Sequence, residues 1–446
     1  MNLFRIFQKE FSTLSNIFVS LHSRNYRLYF IGQGISLIGT WMQNIALSWL
    51  IYRLTGSVFL LGLVGFTSQI PTFILSPFTG VLTDRYNRLK IMTAAQIFFM
   101  LQSLTMTLLV LLNVVDVWHI IALSVVFGII SAFDAPARQA LVIDLIDDPK
   151  NLGNAIALNS ALFNGARLIG PAIAGLTIAA IGEGLCFLLN TLSFTAVIVA
   201  LMMVRIKDRK NTLPHGHFKD VFAEGFHYTF RTVPIRILIL ILAIMSIFGF
   251  PFIVLLPAYA KEILHGGSDT LGFLMSGLGA GALTGALIMA ARKTVMGLGK
   301  VITVNVIVLG VAIVLAGMSG NLGISLFVLY MGGLSMILSL AAINTMIQTL
   351  AEEDKRGRVM SFYAMALMGT LPIGNLIAGS VASAIGIQKT MIIGGVITVL
   401  SAFWFESNRR NMRNTIRSIY RDKGILTTLP DENIVVKPSP DGPPPR

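Results

Sequence analysis

The sequence predicts an all-α membrane protein of twelve transmembrane helices in two six-helix halves, with both termini in the cytoplasm. Three observations carry this. Only 12% of the 446 residues are charged and the chain is 54% hydrophobic. The apolar residues fall in blocks of about 20, the length that crosses a hydrocarbon core of about 30 Å. The basic residues gather in alternate connections between those blocks. A soluble chain carries about 25% charge to solvate its surface, and half of that cannot cover a water-soluble fold.

In order, the apolar runs place spans near 28–52, 58–82, 90–112, 117–137, 154–180 and 184–204, then near 235–257, 269–291, 300–318, 321–343, 359–382 and 388–406. The connections are short except in the middle, where the polar stretch 205–234 holds Arg205, Lys207, Arg209, Lys210, His215 and His217. This divides the chain into a segment 1–27, a half 28–204, a linker 205–234, a half 235–406 and a tail 407–446. The tail begins with Arg409, Arg410, Arg413, Arg417 and Arg421 and ends in a Pro-rich run that should be disordered, since it cannot build a packed element.

Orientation follows from Lys and Arg, which resist translocation and stay in cytoplasmic loops. With the N-terminus inside, 30 of the 34 fall in cytoplasmic segments, while Arg53, Lys261 and Lys389 lie outside and Arg167 falls within a span. The same distribution explains the net charge of +13: it faces an anionic leaflet rather than nucleic acid. No short apolar core with a cleavage site opens the chain, so the first span is expected to act as the insertion signal. The single Cys186 allows neither an internal disulfide nor a cluster of thiolate ligands.

A shift of 204 residues aligns Ile169–Gly182 with Ile373–Gly386 at eight of fourteen positions, including three glycines. The copies occupy the fifth span of each half. Two parallel halves with a substrate site between them near the midplane are a known transporter plan.

After the second span comes Gly80, Val81, Leu82, Thr83, Asp84, Arg85, Tyr86, Asn87, Arg88, Leu89, Lys90. With this loop, the topology and the halves, residues 28–406 resemble the major facilitator superfamily. The resemblance implies a latch on the cytoplasmic side. Asp84 would sit against the N-terminus of the eleventh span near Gly357, where a helix dipole favours an anion, and Arg85 and Arg88 would need a carboxylate. Asp134 is the candidate, with an Asp134–Arg138 pair at i,i+4 as the local alternative. The matching loop of the second half, from Ala290 to Lys300, lacks the Asp-Arg pair, so one latch is expected.

The fifth span carries Gly165, Ala166, Arg167, Leu168, Ile169, Gly170, Pro171 and Gly175. It resembles the glycine-proline motif of exporters in this superfamily and implies a hinge at Gly165, Gly170, Pro171 and Gly175. Small residues let helices approach, and proline weakens the backbone ladder. Arg167, one turn earlier, costs about 2.5–3.5 kcal/mol in the bilayer on insertion scales and needs an interior partner. That partner is either an anionic substrate group or Asn164 or a carbonyl nearby. Gln33, Trp41, Asn44, Gln69, Asn159 and Asn164 are further candidates for a cavity wall.

Phe133, Asp134, Ala135, Pro136, Ala137 and Arg138, together with Leu54–Ser57 and Arg356, Gly357 and Arg358, resemble the subgroup that includes exporters of enterobactin and macrolides and a lysophospholipid transporter. The function implied is secondary active export of small hydrophobic or siderophore-like molecules by an antiporter in the bacterial inner membrane. Protons are a candidate coupling ion, membrane lipids the surroundings, and the protein is expected to act as a monomer. A lysophospholipid flippase is the alternative. An enzyme or sensor is disfavoured because no acid, base and nucleophile converge, and an ATP-driven pump because no phosphate-binding loop occurs. No cofactor is expected. His215 and His217 have no thiolates or acids at metal spacing, so no metal site is expected there.

Overall fold

Eleven stretches of helix in the computed structural model are long and apolar enough to cross a membrane. The structure describes residues 19–206, 218–292 and 294–423; the side chains of Pro77, Val81, Asp84, residues 218–223 and Asp422 lie outside the described residues. His215, His217 and the Pro-rich end of the tail lie outside them as well.

The first half comprises α1 (Arg24–Thr55), α2 (Val58–Thr67), α3 (Ile70–Arg85), α4 (Arg88–Leu111), α5 (Val117–Asp144), α6 (Leu152–Ile181) and α7 (Glu183–Met203). After α8 (Phe218–Arg231) come α9 (Val233–Ile244), α10 (Phe252–Ala258), α11 (Ser268–Ala291), α12 (Leu298–Met318), α13 (Leu322–Leu350), α14 (Arg356–Ala364), α15 (Thr370–Ile385) and α16 (Ile387–Asp422). Some starts carry side-chain caps that satisfy first-turn amides. Ser57 accepts from Leu60 N at 3.3 Å, Asn87 from Lys90 N at 3.1 Å and Asn321 from Ile324 N at 3.2 Å.

The count of twelve apolar spans is not reproduced. The 32-residue α1 is long enough but is not among the eleven, because polar residues interrupt its apolar run. Gln33 and Gln43 among them are buried. Gln43 donates to Gln102 Oε1 at 2.9 Å and accepts from Asn190 Nδ2 at 2.7 Å, so a three-residue chain ties α1 to α4 and α7. In a medium without water such bonds satisfy groups that would otherwise be orphaned.

Two crossings are broken near mid-depth. α2 and α3 are separated at Ser68 and Gln69, with Pro71 in the first turn of α3, where its missing N–H costs nothing. α14 and α15 are joined by the π-helical turn Met365–Gly369. Phe73 packs against Gly369, so the breaks face each other. Further π turns at Met245–Gly249 and Tyr259–Ile263 flank α10.

The tail does not leave the fold at residue 407. α16 continues to Asp422 with Met412 and Tyr420 buried, and Lys423 Nζ donates to the carbonyls of Thr349 (2.8 Å) and Ala351 (2.6 Å), closing the end of α13. A cation on the last carbonyls of a helix suits its dipole. The basic stretch is therefore a docked helix before it is a tail.

Candidate functional site: a cleft between the halves

The halves meet along two crossings, α2 with α15 and α6 with α11. Each rests on a pair of glycines. A Cβ on Gly62 would lie 2.9 Å from Gly379 Cα, and one on Gly175 would lie 2.8 Å from Gly272 Cα. Ser268 Oγ donates to Gly175 O at 3.3 Å and Ser276 Oγ to Leu168 O at 3.1 Å, both across the same divide. At the C-terminal end of α1, the Tyr52 hydroxyl donates to Glu262 beyond α10.

These contacts cluster at the end whose loops hold few cations. At the other end the halves separate. α3 and α14 do not pack extensively against each other among the described residues, and Gly80, Gly357, Gly153 and Gly165 all have open space where a side chain would stand. Among the described residues, the extensive contacts between the halves therefore lie at the cation-poor end.

The repeat explains the closure. Gly170 and Gly374 bring backbone against α1 and the turn after α9, Gly175 and Gly379 make the two crossings, and Gly182 and Gly386 end their helices at φ +98° and +91°. Only glycine adopts that backbone cheaply. The three glycines shared at a spacing of 204 thus do matching jobs in the two halves.

The hinge expected at Gly165, Gly170, Pro171 and Gly175 lies within an unbroken α6. Gly170 and Gly175 serve close approach, whereas Gly165 approaches nothing. Proline removes the donor that Arg167 O would otherwise receive, and Gly279 of α11 packs on that freed carbonyl, 2.8 Å from an added Cβ.

The polar latch is arranged differently from expectation. Arg88 Nη1 meets Asp144 Oδ2 at 3.0 Å, so Asp144 rather than Asp134 is its carboxylate. Asp134 is buried inside the first half, where it accepts from Gln96 Nε2 at 2.7 Å and pairs with Arg138 at 3.4 Å. Sequence spacing could not show this, because Asp134 and Asp144 lie ten residues apart on one helix and only tertiary packing selects between them. Arg85 is exposed, Gly80 borders open space, and the Asp84 side chain lies outside the described residues. Arg358 pairs with Glu224 of α8 at 2.5 Å, and Phe226 and Phe230 of α8 each meet Phe362 of α14 edge to face. α8 is thereby fastened to the start of α14, a contact that the sequence does not announce.

Of the cavity candidates, the structure brings together Trp41 and Arg167. The guanidinium carbon lies 5.7 Å from the Trp41 ring centroid, and Phe163 meets Trp41 edge-on at 6.0 Å. On α6, Ile156, Ser160, Phe163 and Arg167 recur at helical spacing and share one face. That face lies between the contact with α1 at Gly170 and the contact with α11 at Leu168 and Gly175, and Ile156, Ser160 and Phe163 are exposed on it. Asn44 is exposed one turn above Trp41. The others are elsewhere. Gln33 is buried at 2% exposure, Asn159 faces Tyr29 at 3.5 Å, Asn164 donates to Ser160 O at 2.8 Å, and Gln69 precedes α3 at the break.

The profile of the transmembrane secretion effector family matches residues 15–422. The staphyloferrin A transporter of Staphylococcus aureus is 24% identical over 390 residues, covering 87% of this chain and 97% of its own. Macrolide efflux protein A of Streptococcus pyogenes is 22% identical, covering 85% and 95%. The multidrug efflux pump Tap of Mycolicibacterium fortuitum is 24% identical, covering 81% and 91%. Among solved structures, a POT family transporter superposes with a TM-score of 0.71 at 12% identity, covering 88% of this chain and 96% of its own. A bacterial homologue of the human lysosomal transporter Spinster, inward-facing and unoccupied, superposes at 0.62 with 16% identity, covering 86% and 96%. Matched over nearly its whole length, this multi-pass membrane protein belongs to the transmembrane secretion effectors, efflux-type transporters of the major facilitator superfamily.

Proposed function

We propose that the protein is a secondary active exporter of small molecules from the bacterial cytoplasm, working by alternating access as a monomer in the inner membrane. In this reading α1 completes twelve crossings, both termini are cytoplasmic, and residues 28–204 and 235–406 are the rocking halves. One observation carries it: the cleft opens at the end where basic loops cluster, the end the positive-inside rule assigns to the cytoplasm. That is the loading state of an exporter. The outward direction follows the relatives named for macrolide and multidrug efflux.

The cargo proposed is hydrophobic or siderophore-like, after the same relatives, and the coupling ion a proton. Asp84, Arg85, Arg88, Asp144 and the start of α14 are proposed as the cytoplasmic latch that forms when the cleft closes there. The test is uptake by energised everted vesicles of a siderophore, a macrolide and a lysophospholipid. Accumulation of the first or second, lost in Asp84→Ala, supports export. Movement of the lysophospholipid alone would replace export by lipid flipping, and failure to move any of them refutes the reading.

A further inference from the structure

We infer that the cleft is built for an organic anion, with Arg167 as its counter-charge and Trp41 and Phe163 as the apolar surface beside it. The inference rests on the transport reading above and deepens it by assigning the charge of the cargo.

A guanidinium offers five N–H donors and no acceptor. That of Arg167 meets the face of Trp41 and has no hydrogen bond or ion pair among the described residues, and Asn164, the nearest candidate in sequence, is turned back to Ser160 O. Charge balance gives the same answer. Asp134, buried within its span, is held by Gln96 and Arg138. Asp144, Glu183, Glu262 and Asp269 stand at helix ends, and Glu406 is taken by Arg409 and Thr303. No described acid is left to neutralise Arg167.

The repeat separates architecture from function. Its glycines recur because both crossings need them, but Arg167 corresponds to Leu371 and Phe163 to Leu367. The second copy packs without a cation, so the crossing itself does not require one. What remains is a positive charge with an aromatic wall, on the face of α6 that looks into the opening. An intramembrane ionisable residue turned to a cavity marks a substrate path, and an arginine beside an aromatic face suits a planar carboxylate or sulfonate. An organic cation meets repulsion there instead, which is how a site rejects a competitor.

The test uses two probes of one shape and opposite charge, 2-naphthoate and the 2-naphthylmethylammonium cation. Equilibrium dialysis is run against the full-length protein in lipid nanodiscs, with empty discs as blank. The expected result is naphthoate binding that falls at least tenfold in Arg167→Gln and stays within threefold in Arg167→Lys, while the cation binds wild type more weakly than naphthoate. Equal affinities for the two probes, including none for either, overturn the inference, as does naphthoate binding that ignores Arg167→Gln. A ligand-free melting curve guards against a purely structural role: Arg167→Leu, the residue that the repeat carries at 371, should melt at or above the wild-type temperature, and a clear drop would assign Arg167 to packing. Charge-selective binding in a protein that moves no cargo would sink the transport reading and leave this one standing. Transport with charge-blind binding would do the reverse.

Discussion

Adding a single methyl group at Gly175 should tip the molecule away from the closed outer end. The new Cβ would stand 2.7 Å from Ser268 O and 2.8 Å from Gly272 Cα. Both are backbone atoms of the opposite half, so no side chain can swing aside. Overpacking of this kind costs about 1–3 kcal/mol. In the proposed rocking motion this crossing parts when the outer end opens, so the cost falls on the outer-closed state and the population shifts by that differential. About 1–3 kcal/mol is about a 5- to 150-fold change in the equilibrium. Gly379→Ala adds a second, distant clash at the other crossing, with Gly62 Cα 2.8 Å away. The two should add to about 2–6 kcal/mol, a range whose upper part reaches the 5.5 kcal/mol or so that inverts a 1:99 population. The assay is a spin-label distance between cysteines at Asn113, in the loop after α4, and Lys389, in the first turn of α16, in a Cys186→Ala background. The double variant should gain a longer distance that wild type lacks. Gly165→Ala, where open space surrounds the site, is the control: it should favour its helix by about 0.8–1.0 kcal/mol and leave the distance unchanged. A double variant that is folded but keeps the wild-type distance would refute the claim that these glycines hold the outer gate.

Tyr52→Phe deletes the hydroxyl that reaches the Glu262 carboxylate, and the loss of one bond to a charged group, about 1.5–3 kcal/mol, should move the same distance distribution in the same direction by less than the double variant does. Asp134→Asn leaves Arg138 without its carboxylate and Gln96 with a weaker acceptor; a charge-assisted bond is worth about 1.5–3 kcal/mol, so the melting temperature in detergent should fall while Asp134→Glu recovers part of it. Phe226→Ala combined with Glu224→Gln removes the ring and the ion pair that fasten α8 to α14, and limited proteolysis should then cut the 218–231 segment faster without touching the outer loops. If the cargo is an anion, an inside-negative potential drives its exit by about 2.3 kcal/mol per charge per 100 mV; a potassium–valinomycin potential imposed on proteoliposomes should accelerate outward movement, and indifference to that potential would show that the cargo leaves without net charge.

Much of the molecule was legible because lipid imposes long, regular elements, and period and length alone locate them. What the sequence concealed was pairing. Gln43 is only a polar interruption of the first apolar run until Gln102 and Asn190 are found beside it. Asp134 and Asp144 are equivalent on paper, and only the packing of α4 against α5 delivers Arg88 to the second of them. The break in the second crossing carried a weak signal in Pro71, whereas the π turn at Met365–Gly369 carried none, since an extra residue per turn leaves no compositional mark. The repeat offers the opposite lesson. Its glycines were visible as identities, but what they do became clear only when Gly175 met Gly272 and Gly379 met Gly62. Its differences proved as informative as its identities. Where two copies share a packing duty they keep the same residue, so a position at which one copy holds Arg167 and the other Leu371 is free of that duty and open to a role that only one half performs.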